Sequence, residues 1–145
     1  MNSAIERLLT LRVSDVMTTK VVIASSYDTM ASAARKLQEH SVSGLPVVDG
    51  QSRCIGILSA ADFAKIQSRE QESADGDRSP TQELVTQHMT SNVYSIGASQ
   101  PLMSAARLMC TNHIHRLPVL DDQRRPVGMV TALDIVAALV HAIEE

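Results

Sequence analysis

The 145-residue chain has no tryptophan, and its aromatic content of 2% amounts to Tyr27, Phe63 and Tyr94. Stacking platforms for bases are therefore missing. A formal net charge of −3 also leaves no basic surplus to track a phosphate backbone, so nucleic acid is not an expected partner. Long apolar runs are lacking too: none approaches the ~18 residues of a membrane span. Glu6, Arg7, Arg12 and Asp15 interrupt the first 17 residues, which breaks the apolar region a secretory signal needs. These absences point to the cytoplasm and to no membrane partner. The two cysteines, Cys54 and Cys110, sit in apolar stretches outside any C-x-x-C pair. They read as small buried hydrophobes in a reducing compartment. Nor is there a Ser-His-Asp order, a glycine-rich phosphate loop or a paired-carboxylate arrangement, so no catalytic activity is expected.

What is present is repetition. At 44% hydrophobic and 20% charged, the chain can bury one sizeable core or two small fused ones. The string GILSAAD at 56–62 returns as GMVTALD at 128–134. Sliding the chain by 72 positions overlays residues 13–66 on 85–138 without a gap, with about 17 identities in roughly 54 positions. Met17-Thr18 meets Met89-Thr90, Ser32-Ala33-Ala34-Arg35 meets Ser104-Ala105-Ala106-Arg107, and Leu45-Pro46-Val47 meets Leu117-Pro118-Val119. A tandem duplication of one supersecondary unit explains this.

Within each unit the residue patterns predict one order of elements. Val21, Val22, Ile23 and Ala24, like Val93, Tyr94, Ser95 and Ile96, form a short run that predicts a strand. Met30, Ala33, Ala34 and Leu37 then fall on a helical stripe, repeated as Leu102, Ala105, Ala106 and Met109. Asp28 is the candidate N-cap of the first helix, and Pro101 the candidate first helical residue of the second. Residues 45–48 and 55–58, joined through Asp49-Gly50, predict a hairpin, matched by 117–120 and 127–130 around Asp121-Asp122. A closing helix begins near Ala60 and near Ala132. The order is β-α-β-β-α, twice, an α/β (α+β) fold with both repeats packed as one pseudo-twofold module.

The division that follows is a lead helix at 1–12 carrying Ile5, Leu8, Leu9 and Leu11, repeat one at 13–66, a polar linker at 67–84, repeat two at 85–139 and a helix end at 140–145. The linker QSREQESADGDRSPTQEL holds too little apolar surface to build a core of its own.

Ser59 and Asp62, like Thr131 and Asp134, have the S/T-x-x-D spacing of a capping box: the hydroxyl takes an N–H at the helix start and the carboxylate returns the bond. A helix start of this kind also places backbone N–H groups and the positive end of the helix where an anion can be met, so capping and ligand contact are compatible.

The duplicated β-α-β-β-α order, the strands SGLPVVD and HRLPVLD, and GILSAAD with GMVTALD resemble a tandem pair of cystathionine-β-synthase (CBS) domains, also called a Bateman module. The resemblance covers nearly the whole chain. It implies a non-catalytic sensor that binds an adenosine-containing ligand in two clefts between the repeats. Carried over residue by residue, the first cleft has Thr131 and Asp134 at ribose and phosphate, with Met17, Val22, Val42 and Ser43 around the adenine and His115 and Arg116 towards the phosphates. The second has Ser59 and Asp62, with Met89, Tyr94, Ile114 and His115 around the base. There Ser43 and Gly44 stand where His115 and Arg116 would be and supply no charge, so the Asp134 cleft is the expected phosphate binder. AMP, ADP or ATP is the expected regulatory ligand, with S-adenosylmethionine and NAD as further candidates and no cofactor required. The resemblance also implies a homodimer through the repeat helices, towards which the apolar segment 135–143 offers a face, and a target protein encoded elsewhere.

Cys110, His113 and His115 have metal-ligand residue types, but the only other histidine in question, His88, is distant in sequence, so no metal is expected. Met17, Met30, Met89, Met103, Met109 and Met129 read as adaptable core filling. The competing reading of the whole is a scaffold that dimerises or contacts a partner without any nucleotide.

Overall fold

The structure, a computed structural model, describes residues 3–72 and 82–144. In chain order its elements are α1 (Ser3–Thr10), α2 (Val13–Val16), β1 (Ala24–Ser25), α3 (Met30–His40), β2 (Gly44–Val48), β3 (Cys54–Ser59), α4 (Ala60–Glu72), a 3₁₀ turn (Val85–Gln87), α5 (Leu102–Asn112), β4 (Arg116–Leu120), β5 (Pro126–Thr131) and α6 (Ala132–Glu144). Half of the linker, residues 73–81, lies outside the described residues.

The chain forms two compact units that are out of phase with its repeats. A central unit is Val22–Val93; an N/C unit joins Met1–Val21 to Tyr94–Glu145. The opening segment of each repeat thus packs in the other repeat's unit. In the N/C unit, Val13 is fully buried with Leu102, Ala105, Leu117, Val119 and Val130. It is held by its N–H on the Gln100 carbonyl at 2.9 Å, and Leu102 N–H returns to the Leu11 carbonyl at 2.8 Å. In the central unit Val85 takes the matching place among Ala24, Met30, Ala33, Leu45, Val47, Leu58 and Ile66. Its N–H bonds the Asp28 carbonyl at 2.9 Å, and Met30 N–H bonds Glu83 at 2.8 Å. Full burial of such a valine contributes about 1.5–3 kcal/mol, which ties each arm to its unit.

The central sheet runs β1-β2-β3, with β1 parallel and β3 antiparallel to β2. β2 is buried throughout while β3 alternates, as a strand with one covered face must. β1 is shorter than its apolar run predicts and begins only at Ala24. Pro46 explains this. The equivalent Pro118 presents its carbonyl to Ile96 at 3.2 Å, so the ring nitrogen faces the β1 side. Proline has no N–H to extend a ladder along that edge. In the N/C unit the second apolar run is likewise reduced to one parallel bridge, Ile96 to Val119, beside the antiparallel β4–β5 pair.

The helix starts also shift from expectation. Thr29, not Asp28, caps α3, its hydroxyl accepting from Ser32 N–H at 3.1 Å. Asp28 instead accepts the Ser25 N–H and the Lys36 ammonium. Pro101 is the cap of α5 rather than its first residue. Both helices end on a left-handed residue, Ser41 and His113. In the hairpin loops the positive φ falls on Ser52 and Arg124, because Asp49 and Asp121 accept two backbone N–H groups each and shape the turn themselves.

The lead helix α1 packs on α5 and α6 of the N/C unit. Arg7 reaches the Ala142 carbonyl in the last turn of α6, where a cation complements the exposed carbonyls. Pointing Arg7 inward turns Ile5 and Leu9 outward, and both are exposed.

Candidate functional site

Each unit carries one S/T-x-x-D helix start on the end of a hairpin. In the N/C unit, β4 and β5 pair so that Arg116 lies directly opposite Thr131. Opposed residues on an antiparallel pair share a face with Cβ atoms about 4.5–5.5 Å apart. Thr131 then starts α6 through a reciprocal box: its N–H donates to Asp134 Oδ2 at 2.9 Å, and its Oγ1 accepts from Asp134 N–H at 3.1 Å. The His115 carbonyl takes the first N–H of the helix, Ala132, at 2.8 Å. Asp134 is half-buried and His115 exposed. Burial lowers the Arg116 pKa from its ordinary value, yet a guanidinium remains cationic at neutral pH.

Met17 enters the same unit from the arm. Thr18 pairs with Met129 through two backbone bonds of 2.9 and 3.0 Å, and the Met17 thioether lies against Gly128. A groove of about 620 Å³ between α1, α2 and α6 opens on Asp134 and is also lined by Arg7, Asp15 and His141. Those three were not among the site residues expected from the sequence. No sequence pattern marks them, since they meet only because α1 docks by Arg7.

The central unit repeats the frame with different chemistry. Gly44 stands opposite Ser59, and the Ser43 carbonyl takes Ala60 N–H at 3.2 Å. Asp62 Oδ2 accepts both Ser59 N–H at 2.8 Å and Ser59 Oγ at 3.2 Å, and the residue is 7% exposed. Both of these bonds fall on Oδ2, as the Thr131 bond does on Asp134, and it is Gly44 rather than a cation that stands across the strand pair. Met89 lies against Gly56, and Thr90 pairs with Ile57 at 2.9 Å both ways.

Of the residues expected for the first cleft, Met17, His115, Arg116, Thr131 and Asp134 belong to the N/C unit, and Val22, Val42 and Ser43 to the central unit. Of the second set, Ser59, Asp62 and Met89 are central, while Tyr94, Ile114 and His115 are in the N/C unit. Cys54 is buried, but Cys110 is exposed, contrary to expectation. It follows buried Met109 by one residue, which turns it about 100° away from the core face of α5. Among the described residues no group of three or more His, Cys, Asp or Glu gathers as a metal site. His88 lies instead 3.4 Å from Glu83. No helix of the described residues is long and apolar enough to cross a membrane.

A duplicated β-α-β-β-α unit, with a boxed aspartate starting each closing helix, defines a tandem-repeat module of mixed α/β class. The chain belongs to the CBS domain family, whose model matches residues 13–69 and 84–141. It is 31% identical over 135 residues to an uncharacterized 17.7 kDa protein of Acidianus ambivalens, covering 92% of this chain and 77% of the relative. It is 29% identical over 124 residues to an inosine-5'-monophosphate dehydrogenase of Methanocaldococcus jannaschii, of which it spans only 23%. Relatives of this module thus occur both in a short protein and within an enzyme. Among solved structures, the CBS domain pair of protein MJ0100, in complex with 5'-methylthioadenosine and S-adenosyl-L-methionine, is 27% identical with a TM-score of 0.78, covering 93% of this chain and 98% of that one. CBSX2 in complex with AMP is 26% identical with a TM-score of 0.77, covering 92% and 98%.

Proposed function

We propose that the protein is a non-catalytic regulatory module that binds an adenine nucleotide, AMP, ADP or ATP, at the Asp134 site of the N/C unit. The observation that carries this reading is the register pairing of Arg116 with Thr131 beside the half-buried Asp134. Asp134 uses only Oδ2 in its capping box and accepts the ribose hydroxyls. Arg116, with His115 next to it, takes the phosphate through charge-assisted bonds, which are the strong ones. Met17 supplies an adaptable apolar contact for the flat base. The Asp62 site, with Gly44 in place of the cation and its carboxylate turned inward, binds weakly or not at all. The adenosine ligands of the CBSX2 and MJ0100 structures support the ligand class. Arg116 favours a phosphate over the sulfonium of S-adenosylmethionine. A cytoplasmic setting is consistent with the free, exposed Cys110 thiol.

Signalling is by linkage: the ligand populates whichever conformation of the homodimer binds it better, and a target protein reads that conformation. The test is a thermal-shift titration of wild type and Asp134→Asn with AMP, ADP, ATP, S-adenosylmethionine and NAD. Saturable stabilisation by a nucleotide that disappears in Asp134→Asn supports the reading. Flat curves for all five overturn it and leave a ligand-free scaffold.

A further inference from the structure

The groove between α1, α2 and α6 is a product of helical phase. Asp134, Ala137, Ala138, His141 and Ala142 stand at i, i+3, i+4, i+7 and i+8 and share one face of α6. Three of the five are alanines, so this face is shallow along its middle. The positions of α4 aligned with Ala137 and Ala138 are Lys65 and Ile66, and Ile66 fills the central core at 2% exposure. Small residues on α6 instead leave a groove of about 620 Å³, walled on the opposite side by Leu11 and Val16. That volume falls within the ~300–1,000 Å³ of small-molecule sites.

The course of the chain orders the charges along this groove. Arg7 bonds the Ala142 carbonyl in the last turn of α6, while Thr18 pairs with Met129 in β5, the strand that feeds the first turn of α6. Residues 7–18 therefore run from the C-terminal end of α6 back towards its start. Arg7 with His141 stands at one end of the groove, and Asp15 with Asp134 at the other. At 1.5 Å per residue the two ends are about 10 Å apart. A guanidinium carries five N–H donors, so bonding Ala142 is compatible with holding a carboxylate as well. Asp15 takes the Arg12 N–H at 2.8 Å and Asp134 the Thr131 N–H at 2.9 Å, each through Oδ2. The Oδ1 atoms are left to meet a donor. These full charges outweigh the half-charges of the α6 dipole, which run the other way.

We propose that this groove binds a short apolar peptide with both termini free, about three residues long. Its ammonium lies between Asp15 and Asp134, its carboxylate at Arg7, and its body over Ala137 and Ala138. The separation of the charges selects this class. The ammonium and carboxylate of a single α-amino acid are too close together to reach both ends, whereas an extended chain at ~3.3–3.6 Å per residue spans the groove with three residues. A lone anion or cation would use one end and leave the alanine floor uncovered. The site borders the nucleotide reading at Asp134 but does not rest on it.

The experiment is isothermal titration of the full chain with trialanine, beside N-acetyl-trialanine, which lacks the ammonium, and trialanine amide, which lacks the carboxylate. Saturable binding of trialanine is expected, weakened at least tenfold in either blocked form. Asp15→Asn removes the charge and keeps an oxygen for the Arg12 N–H, and Ala137→Leu fills the floor from an exposed position. Each should weaken trialanine at least tenfold in a chain whose far-UV circular dichroism is unchanged. AMP titration of Asp15→Asn keeps the two readings apart, since its nucleotide response is expected to match wild type. Absence of saturable trialanine binding, equal binding of the blocked forms, or binding untouched by Ala137→Leu overturns the proposal, whether or not AMP binds.

Discussion

Met17 lies against Gly128 so closely that a Cβ on that glycine would come within 2.5 Å of the Met17 sulfur. The same relation recurs between Met89 and Gly56, at 2.3 Å. The glycine of each GILSAAD-like string is thus the seat of a methionine delivered by an arm that belongs to the other repeat in sequence. Only a residue without a side chain lets the arm close on the strand at this height.

Gly128→Ala is expected to cost about 1–3 kcal/mol, the range for overpacking a filled site. Gly56→Ala should cost less. At Gly56 every near atom belongs to the flexible Met89 side chain, whereas at Gly128 the backbone carbonyl of Thr18 also lies within 3.2 Å and cannot swing away. Adding Met17→Ala to Gly128→Ala should relieve the clash, so the double variant loses less than the sum of the singles. Urea unfolding of the set checks this; additive losses would refute the contact.

Asp134→Ala and Asp62→Ala both remove a capping box and should each lower stability by about 1 kcal/mol. Their ligand responses should part. The nucleotide-induced rise in Tm is expected to vanish in Asp134→Ala and to persist in Asp62→Ala, because Asp62 is buried and Gly44 stands where Arg116 serves Asp134. Equal responses in the two variants would contradict the assignment of the site to the N/C unit.

Arg116→Gly gives the N/C unit the residue that Gly44 already supplies in the central one. Removing a charge-assisted phosphate contact should weaken AMP binding at least tenfold, with a smaller effect on adenosine, which has no phosphate to lose. Isothermal titration of both ligands makes the comparison. Parallel losses for the two would assign Arg116 a role other than phosphate contact.

Acid sensitivity should centre on Asp28. Burial pushes its carboxyl up, but the Ser25 N–H at 2.8 Å and the Lys36 ammonium at 3.0 Å outweigh this and hold it below its ordinary value of 3.8. A carboxylate whose folded pKa is depressed binds fewer protons folded than unfolded, so its contribution is present above that ordinary value and is lost as pH falls through the folded one. Asp49 is held low in the same direction by the backbone N–H groups of Arg53 and Gln51. Asp28→Asn should therefore lower stability at neutral pH, by about 1 kcal/mol or less for a pair this exposed. It should also flatten the decline below about pH 4. Thermal melts between pH 2 and pH 7 test it, and an unchanged acid limb would exclude Asp28 as its source.

Much of the fold was legible from local pattern. The closing helices begin at Ala60 and Ala132 as the S/T-x-x-D boxes imply, and the hairpins pair where the runs around Pro46 and Pro118 place them. Where expectation failed, a competing partner or the phase of a helix had intervened. The run at 21–24 has strand composition, yet its ladder stops at a proline in the neighbouring strand. Asp28 looks like a cap, yet Lys36 and Ser25 claim its carboxylate and Thr29 takes the role. Cys110 lies in an apolar stretch, but its helical phase turns it outward.

The sequence by itself determined the duplication, the order of elements, the family and the charge difference between Arg116 and Gly44, because these depend on residue identity and short-range spacing. Only the tertiary structure decided that the arms at Val13 and Val85 cross over to complete the other repeat's core. It alone turned Asp62 inward while leaving Asp134 half-buried. Those outcomes depend on which apolar surfaces meet over long separations in the chain, and no periodicity along the chain encodes that meeting.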